Sequence, residues 1–471
     1  MRLLFCVLLV LATACTPREK TITIIAVNDI HGGIDNFPRL ATLVQQYRGA
    51  DSLHTIVVDA GDRWTGNPFV DLNPERGQPV IDLLNALGVN VATYGNHEFD
   101  FGLDVLRKRV QEADYPFTAA NIDSNFSPLP QPDPYICMNV DGVKLCFLGL
   151  ITTARAGYPD GFVENFGSIK FSNPITTALE YRHLRDKADV LIGLTHIGYE
   201  LDSVLAVQMP ELDLILGGHS HTLVPDGHVI GRTLVTQASS RLKYANVVTI
   251  KMRGDKIADI RGRLVKLDTV APDPKFVAMV EAYAQLPELN EVKGALATKS
   301  DKTGVMNMVT DIIRKSTGSD MAIYNWGGIR VDSLVAGPMT VADFYSIEPF
   351  GNTVVVLKMT EEQIRGLILR KFNSLGKEAR REDLYPSGFT YHVRTSVQGD
   401  GLDLYIKTKA KPGPDGTYKV AMSDYVDSIY DFDGAGTGEP TGVVVAHMLM
   451  QYFEKNSPVS SDNEARTSVG R

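Results

Sequence analysis

The feature that most constrains this chain is a recurring one: apolar, β-branched runs that stop abruptly at a residue able to bind metal or move a proton. Thr21 to Val27 ends at Asn28-Asp29-Ile30-His31-Gly32-Gly33, Thr55 to Ala60 at Gly61-Asp62, and Val89 to Tyr94 at Gly95-Asn96-His97-Glu98-Phe99-Asp100. Val190 to Leu194 ends at Thr195-His196, and Leu212 to Leu216 at Gly217-Gly218-His219-Ser220-His221. Runs of this length without polar alternation read as strands buried on both faces, with helices between them. Open α/β sheets place their ligands at the C-terminal ends of such strands. One such end is turn chemistry; five of them argue for a shared site.

The donors themselves indicate its chemistry. Asp29, His31, Asp62, Asn96, His196, His219 and His221 are more ligands than one ion with an open position needs, and they include no thiolate. Two divalent ions are implied, with Asp62, alone at its strand end, as the carboxylate to bridge them. Such a set suits Zn, Mn, Co, Fe or Mg and does not choose among them. His97 stands three residues before Asp100, close enough for the carboxylate to orient the imidazole if the chain turns helically.

At 471 residues the chain is longer than one ordinary core, so two domains are expected. A formal charge of −9 argues against a polymeric nucleic-acid partner, which usually needs a basic face. Arg2, the apolar run Leu3 to Leu11 and the small residues before Cys15 read as a signal peptide over residues 1–14, too short to span a bilayer. Leu11-Ala12-Thr13-Ala14-Cys15 is similar to a bacterial lipobox, which implies lipidation at Cys15 and an exported, periplasmic or cell-envelope protein. Cys137 and Cys146 face each other across the turn Asp141-Gly142; they read as two buried thiols, with a disulfide as the alternative.

Taken together and in order, NDIHG, GD, GNHEFD, THIG and GGHSH resemble the calcineurin-like metallophosphoesterase signature, in its secreted 5'-nucleotidase and UDP-sugar hydrolase branch. The resemblance implies a four-layer α/β/β/α sandwich over residues 21–264, with Asp29, His31, Asp62 and His221 on one ion and Asp62, Asn96, His196 and His219 on the other. His97, oriented by Asp100, is then the catalytic imidazole. APDP and a helix over Phe276 to Ala284 mark a linker (265–297), followed by an α+β substrate domain (298–454) and a loose polar tail (455–471).

In that second domain Val305, Met308, Val309, Ile312 and Ile313 follow helical spacing, with Gly318 as the C-terminal cap. Asn325-Trp326-Gly327-Gly328-Ile329-Arg330 and Pro349-Phe350-Gly351-Asn352 resemble the family's substrate motifs. They imply a small nucleotide substrate contacted by Asn325, Gly327, Gly328 and Arg330, with Phe350 and Tyr425 against the base and Asp433 at the ribose. Two departures stand out: Asp301 and Lys302 occupy the place of a substrate-binding arginine, and Asp431 to Gly436 replaces a Gly-Gly-Asp-Gly motif. The same resemblance leaves UDP-sugars, cyclic nucleotides and a non-catalytic nucleotide-binding lipoprotein as the competing readings.

Overall fold

A computed structural model of the protein describes residues 19–51, 53–153, 157–374, 382–395, 402–429 and 438–470. Cys15 with the signal segment, and Asp433, lie outside these residues. The first domain is built on two six-stranded sheets. One runs in the order Lys256–Lys266, Tyr244–Arg253, Glu19–Val27, Thr55–Asp59, Val91–Thr93, Phe117–Thr118. The other runs His228–Ile230, Thr233–Thr236, Leu214–Leu216, Val190–His196, Val143–Ile151, Tyr135–Val140.

Alternation along Glu19–Val27 shows why the layers form. Ile22, Ile24 and Ala26 point into the core between the sheets with Val58, Phe147 and Leu194, whereas Ile25 and Val27 pack outward against helices. Helices Phe37–Asp51, Gln78–Leu87 and Leu103–Glu112 cover one outer face; Pro174–Glu180 and Tyr199–Gln208 cover the other. The result is the expected α/β/β/α sandwich. The five strands that end in candidate donors run parallel within their own sheets, so their C-terminal ends gather along one edge.

The hairpin between Tyr135–Val140 and Val143–Ile151 turns through Asp141 (φ 49°) and Gly142 (φ 79°) and pairs Cys137 with Cys146. These cysteines form a disulfide, not the two free thiols favoured from the sequence. Direct opposition brings their Cα atoms to 4.1 Å, which buried packing alone did not anticipate.

Helix Pro274–Tyr283, capped by the Asp273 side chain, was expected to link the domains. It docks on the first domain, with Phe276 in that domain's outer core. The second domain has a five-stranded sheet in the order Leu384–Ser387, Met321–Asn325, Tyr418–Ser423, Thr353–Met359, Glu439–Val444. Helices Lys302–Thr317 and Val445–Asn456 pack on one face and Glu361–Ser374 on the other. Gly318, in the left-handed region, ends Lys302–Thr317 as its spacing predicts.

The loose tail is also corrected. Thr467–Gly470 adds a parallel strand beside Phe389–Thr395, and Arg466 forms a two-armed ion pair with Asp311 at 2.7 and 3.0 Å. The buried Asn307 amide holds the main chain of Asp462 and Glu464. Polar composition concealed these anchors because each partner is more than seventy residues away in sequence.

One buried cluster ties the Pro349–Asn352 turn to the sheet: Asn352 Nδ2 donates to Glu348 Oε1 at 2.6 Å and to Tyr324 Oη at 3.3 Å. Burial pushes the Glu348 carboxyl up from 4.5 to about 8, more than its hydrogen bonds to Asn352 and Tyr324 lower it. Between these two values the folded chain keeps a proton that the unfolded chain has lost. Stability therefore falls as pH rises through this window. Glu348→Gln is expected to match the parent in urea midpoint near pH 4.5 and to exceed it at pH 8; an equal pH slope in both proteins would contradict the assignment.

Candidate active site

The five strand ends meet. Asp29, His31, Asp62, His219 and His221 all adopt φ between 46° and 80°, a region that non-glycine residues enter at a cost and that clusters at functional sites. This turn geometry aims side chains from different strands into one pocket. Asp29 Oδ1 lies 3.3 Å from His221 Nε2, and the Nε2 atoms of His31 and His221 are 2.9 Å apart. Asp62 Oδ2 lies 3.1 Å from His196 Nε2 and 3.7 Å from His31 Nε2, and His219 Nδ1 is 3.0 Å from Asn96 Oδ1.

The donor atoms group as Asp29, His31 and His221, as Asp62, His196 and His219, and as His31, Asp62 and His97, each set within 4.8 Å. Asp62 thus stands between the two halves. His196 Nε2 is buried, and its polar neighbour there is the Asp62 carboxylate at 3.1 Å. His31 and His196 each use Nδ1 on a backbone carbonyl, of Thr65 at 3.0 Å and Ala60 at 2.7 Å, leaving Nε2 for the pocket. This is how metal-binding imidazoles are held in one tautomer. The residues present therefore fit a pair of divalent ions.

The charges agree with the geometry. Burial opposes ionisation of Asp62, but His196, His97 and His31 outweigh it and hold the carboxyl well below its usual range. Burial likewise works against Asp29, which is lowered by His221 and His196. His31 is depressed by burial and then by Arg330. His97 Nδ1 meets Asp100 Oδ2 at 2.7 Å, and its backbone N–H donates to Asp62 Oδ1 at 2.9 Å. Burial disfavours its charge, yet Asp100 and Asp62 raise the imidazole to about 9.

Several supports were not read from the sequence. Glu98, fully buried, accepts the backbone N–H groups of Asp62, Arg63 and Gly95. Arg63, equally buried, joins it to Asp59: Nε is 2.7 Å from Asp59 Oδ2 and Nη1 3.2 Å from Glu98 Oε1. A Cβ at Gly95 would collide with the Asp62 carboxylate, so that glycine is needed for close approach. Asn28 Nδ2 holds Asp29 Oδ2 at 2.6 Å, and Thr65 Oγ1 donates to Asp100 Oδ2 at 2.7 Å. Glu98 lay inside the GNHEFD run, but nothing in the spacing shows that it turns inward.

From the second domain, Arg330 Nη2 reaches His31 Nε2 at 2.9 Å, and its guanidinium lies 5.6 Å from the centre of the Phe350 ring. Phe350 also stands 5.6 Å from His97, while Tyr425 meets Phe162 edge-on at 6.0 Å. Asn325 is buried at its strand end, and its Oδ1 has no hydrogen-bond partner among the described residues. In the Trp326–Gly328 turn, the amide of Trp326 bonds the Asp383 carbonyl and that of Arg330 bonds Ile347. Those two amides are occupied inside the fold. Gly328 packs where a side chain would meet Asn325 and the Tyr324 ring.

The first of the two departures also acquires a role. Asp301 caps helix Lys302–Thr317 through Gly304 N at 2.9 Å. Lys302 donates to the Ile329 carbonyl and stands 5.5 Å over the Trp326 ring, bracing the loop that carries Arg330.

The architecture and the donor set define a class: a metal-dependent phosphoester hydrolase of the calcineurin-like type. Residues 22–223 match the family model for calcineurin-like phosphoesterases, and residues 284–431 match that for the 5'-nucleotidase C-terminal domain. The chain thus joins a calcineurin-like phosphoesterase domain to a 5'-nucleotidase C-terminal domain. It is 26% identical to protein UshA of Yersinia enterocolitica, over 94% of this chain and 93% of that one. It is also 26% identical to the trifunctional nucleotide phosphoesterase protein YfkN of Bacillus subtilis, over 94% of this chain but 34% of that protein, so it spans about a third of that relative. The crystal structure of a 5'-nucleotidase precursor from Thermus thermophilus shares the fold, with a TM-score of 0.80 at 22% identity, covering 96% of this chain and 99% of that one.

Removing the buried Glu98 carboxylate leaves three N–H groups and part of the Arg63 charge unpaired. Glu98→Ala is expected to cost about 3–5 kcal/mol in urea unfolding of the metal-free protein. A loss below about 1 kcal/mol would mean that the Asp62 and Gly95 loops do not depend on it.

Proposed function

We propose that the protein is an exported hydrolase that holds two divalent ions and releases phosphate from nucleoside 5'-monophosphates. The observation that carries this reading is the convergence of seven donors from five strand ends around Asp62. Asp29, His31, Asp62 and His221 would hold one ion, and Asp62, Asn96, His196 and His219 the other. When bound, the ions supply Lewis-acid stabilisation of the phosphoryl oxygens and lower the pKa of water.

The chain's own groups supply the rest. His97, its Nδ1 held by Asp100, faces the pocket between Phe350 and Asp62, where its imidazole stabilises charge building on the phosphoryl group or protonates the departing alkoxide. Arg330 offers a fork for the same anion. Its Nη2, 2.9 Å from His31 Nε2, brings the second domain's cation to the edge of the metal pocket. Phe350 and Tyr425 offer ring faces for a base, and Asn325 an amide oxygen with no partner among the described residues.

The disulfide fits an oxidising compartment, which supports export. Cys15 would carry the lipid anchor. No helix among the described residues is long and apolar enough to cross a membrane.

Phosphate release from a panel of AMP, UMP, UDP-glucose, 2',3'-cyclic AMP and nitrophenyl phosphate tests the substrate. The 5'-monophosphates are expected to turn over fastest. Cleavage of the nitrophenyl ester alone would end the nucleotide reading, and UDP-glucose as best substrate would move it to the UDP-sugar hydrolases. Chelation should abolish activity and added divalent ion restore it. His97→Ala is expected to lower kcat about 10²–10⁴-fold while the metal content stays at the parental level; parental kcat would remove His97 from the chemistry.

A further inference from the structure

The segment that follows strand Val143–Ile151 gave no sequence signal, yet it touches both the metal pocket and the second domain. The main-chain oxygen of Asp160 accepts a hydrogen bond from Asn96 Nδ2 at 3.1 Å, and its carboxylate Oδ2 lies 3.5 Å from His219 Nε2. Asn165 Nδ2 donates to the Asp100 carbonyl at 3.1 Å, and Phe162 meets Tyr425.

His219 differs from the other two imidazoles in how it is held. His31 and His196 point Nε2 inward and tie Nδ1 to the backbone; His219 places Nδ1 3.0 Å from Asn96 Oδ1 and turns Nε2 outward, toward Asp160. A histidine that binds an ion through one ring nitrogen carries its proton on the other, and a carboxylate there fixes the tautomer and the ring angle. The Asn96 amide poses a similar question of direction, because only its oxygen can serve an ion. Holding Nδ2 on the Asp160 carbonyl turns Oδ1 to the pocket.

We propose that Asp160 is a positioning residue for one ion of the pair: its backbone orients Asn96 and its side chain orients His219. The inference rests on the dinuclear reading above. It ties the ion held by Asn96, His196 and His219 to the loop that also bears Phe162 against Tyr425.

The test is a stepwise Co(II) titration of metal-free parent, Asp160→Asn and Asp160→Glu, followed by the visible absorption of bound cobalt, with thermal unfolding of the metal-free proteins as the check on folding. The parent is expected to take two ions per chain. Asp160→Asn should keep one at parental affinity and bind the other about 10–100-fold more weakly, with an altered cobalt spectrum and an unchanged unfolding temperature. Asp160→Glu should recover part of the loss. Unchanged binding of both ions in Asp160→Asn would overturn the proposal while leaving the dinuclear reading intact. So would equal weakening of both ions that disappears at high salt, since Asp160 would then act only as a rim charge. If Asp160→Asn unfolds earlier, the Asp160→Glu spectrum decides: failure to recover any parental cobalt signal in a stably folded Glu variant overturns the proposal. A parent that takes fewer than two ions overturns both.

Discussion

The site depends on one carboxylate, Asp62, being buried, ionised and common to two of the donor groups. Desolvation of such a group is costly, and the imidazoles of His196, His97 and His31 offset it. Its position is held from behind: Glu98 gathers the amides of Asp62, Arg63 and Gly95, and Arg63 is in turn locked by Asp59. Gly95 permits the approach. These residues follow two adjacent parallel strands, Thr55–Asp59 and Val91–Thr93, so sheet register sets the height of the Asp62 carboxylate.

Much of this was legible in the sequence because strand ends announce themselves. An apolar run buried on both faces is easily recognised, and an Asp or His immediately after it has few structural reasons to recur. The Asp-Gly turn likewise fixed the pairing of Cys137 with Cys146. Whether the paired residues were bonded did not follow from that pairing, because buried thiols and a disulfide both suit a core strand.

What stayed hidden was long-range. Arg330 touches His31 across 299 positions, Lys243 meets Asp332 at 2.7 Å across the domain boundary, and Asp160 reaches Asn96 and His219 from a loop without periodicity. The last residues looked loose because the partners of Arg466 and Thr467–Gly470 lie far back in the chain. Spacing along the chain carries no trace of such contacts. Local pattern therefore located the donors, while their supports required coordinates.

The most direct measurement is crystallographic: anomalous scattering from crystals grown with Mn(II) or Zn(II), collected above and below the metal edge. The account predicts two peaks about 3.5–4 Å apart, with Asp62 between them and Asn96 and His219 on the same one. A single peak, or a pair not bridged by Asp62, would contradict it.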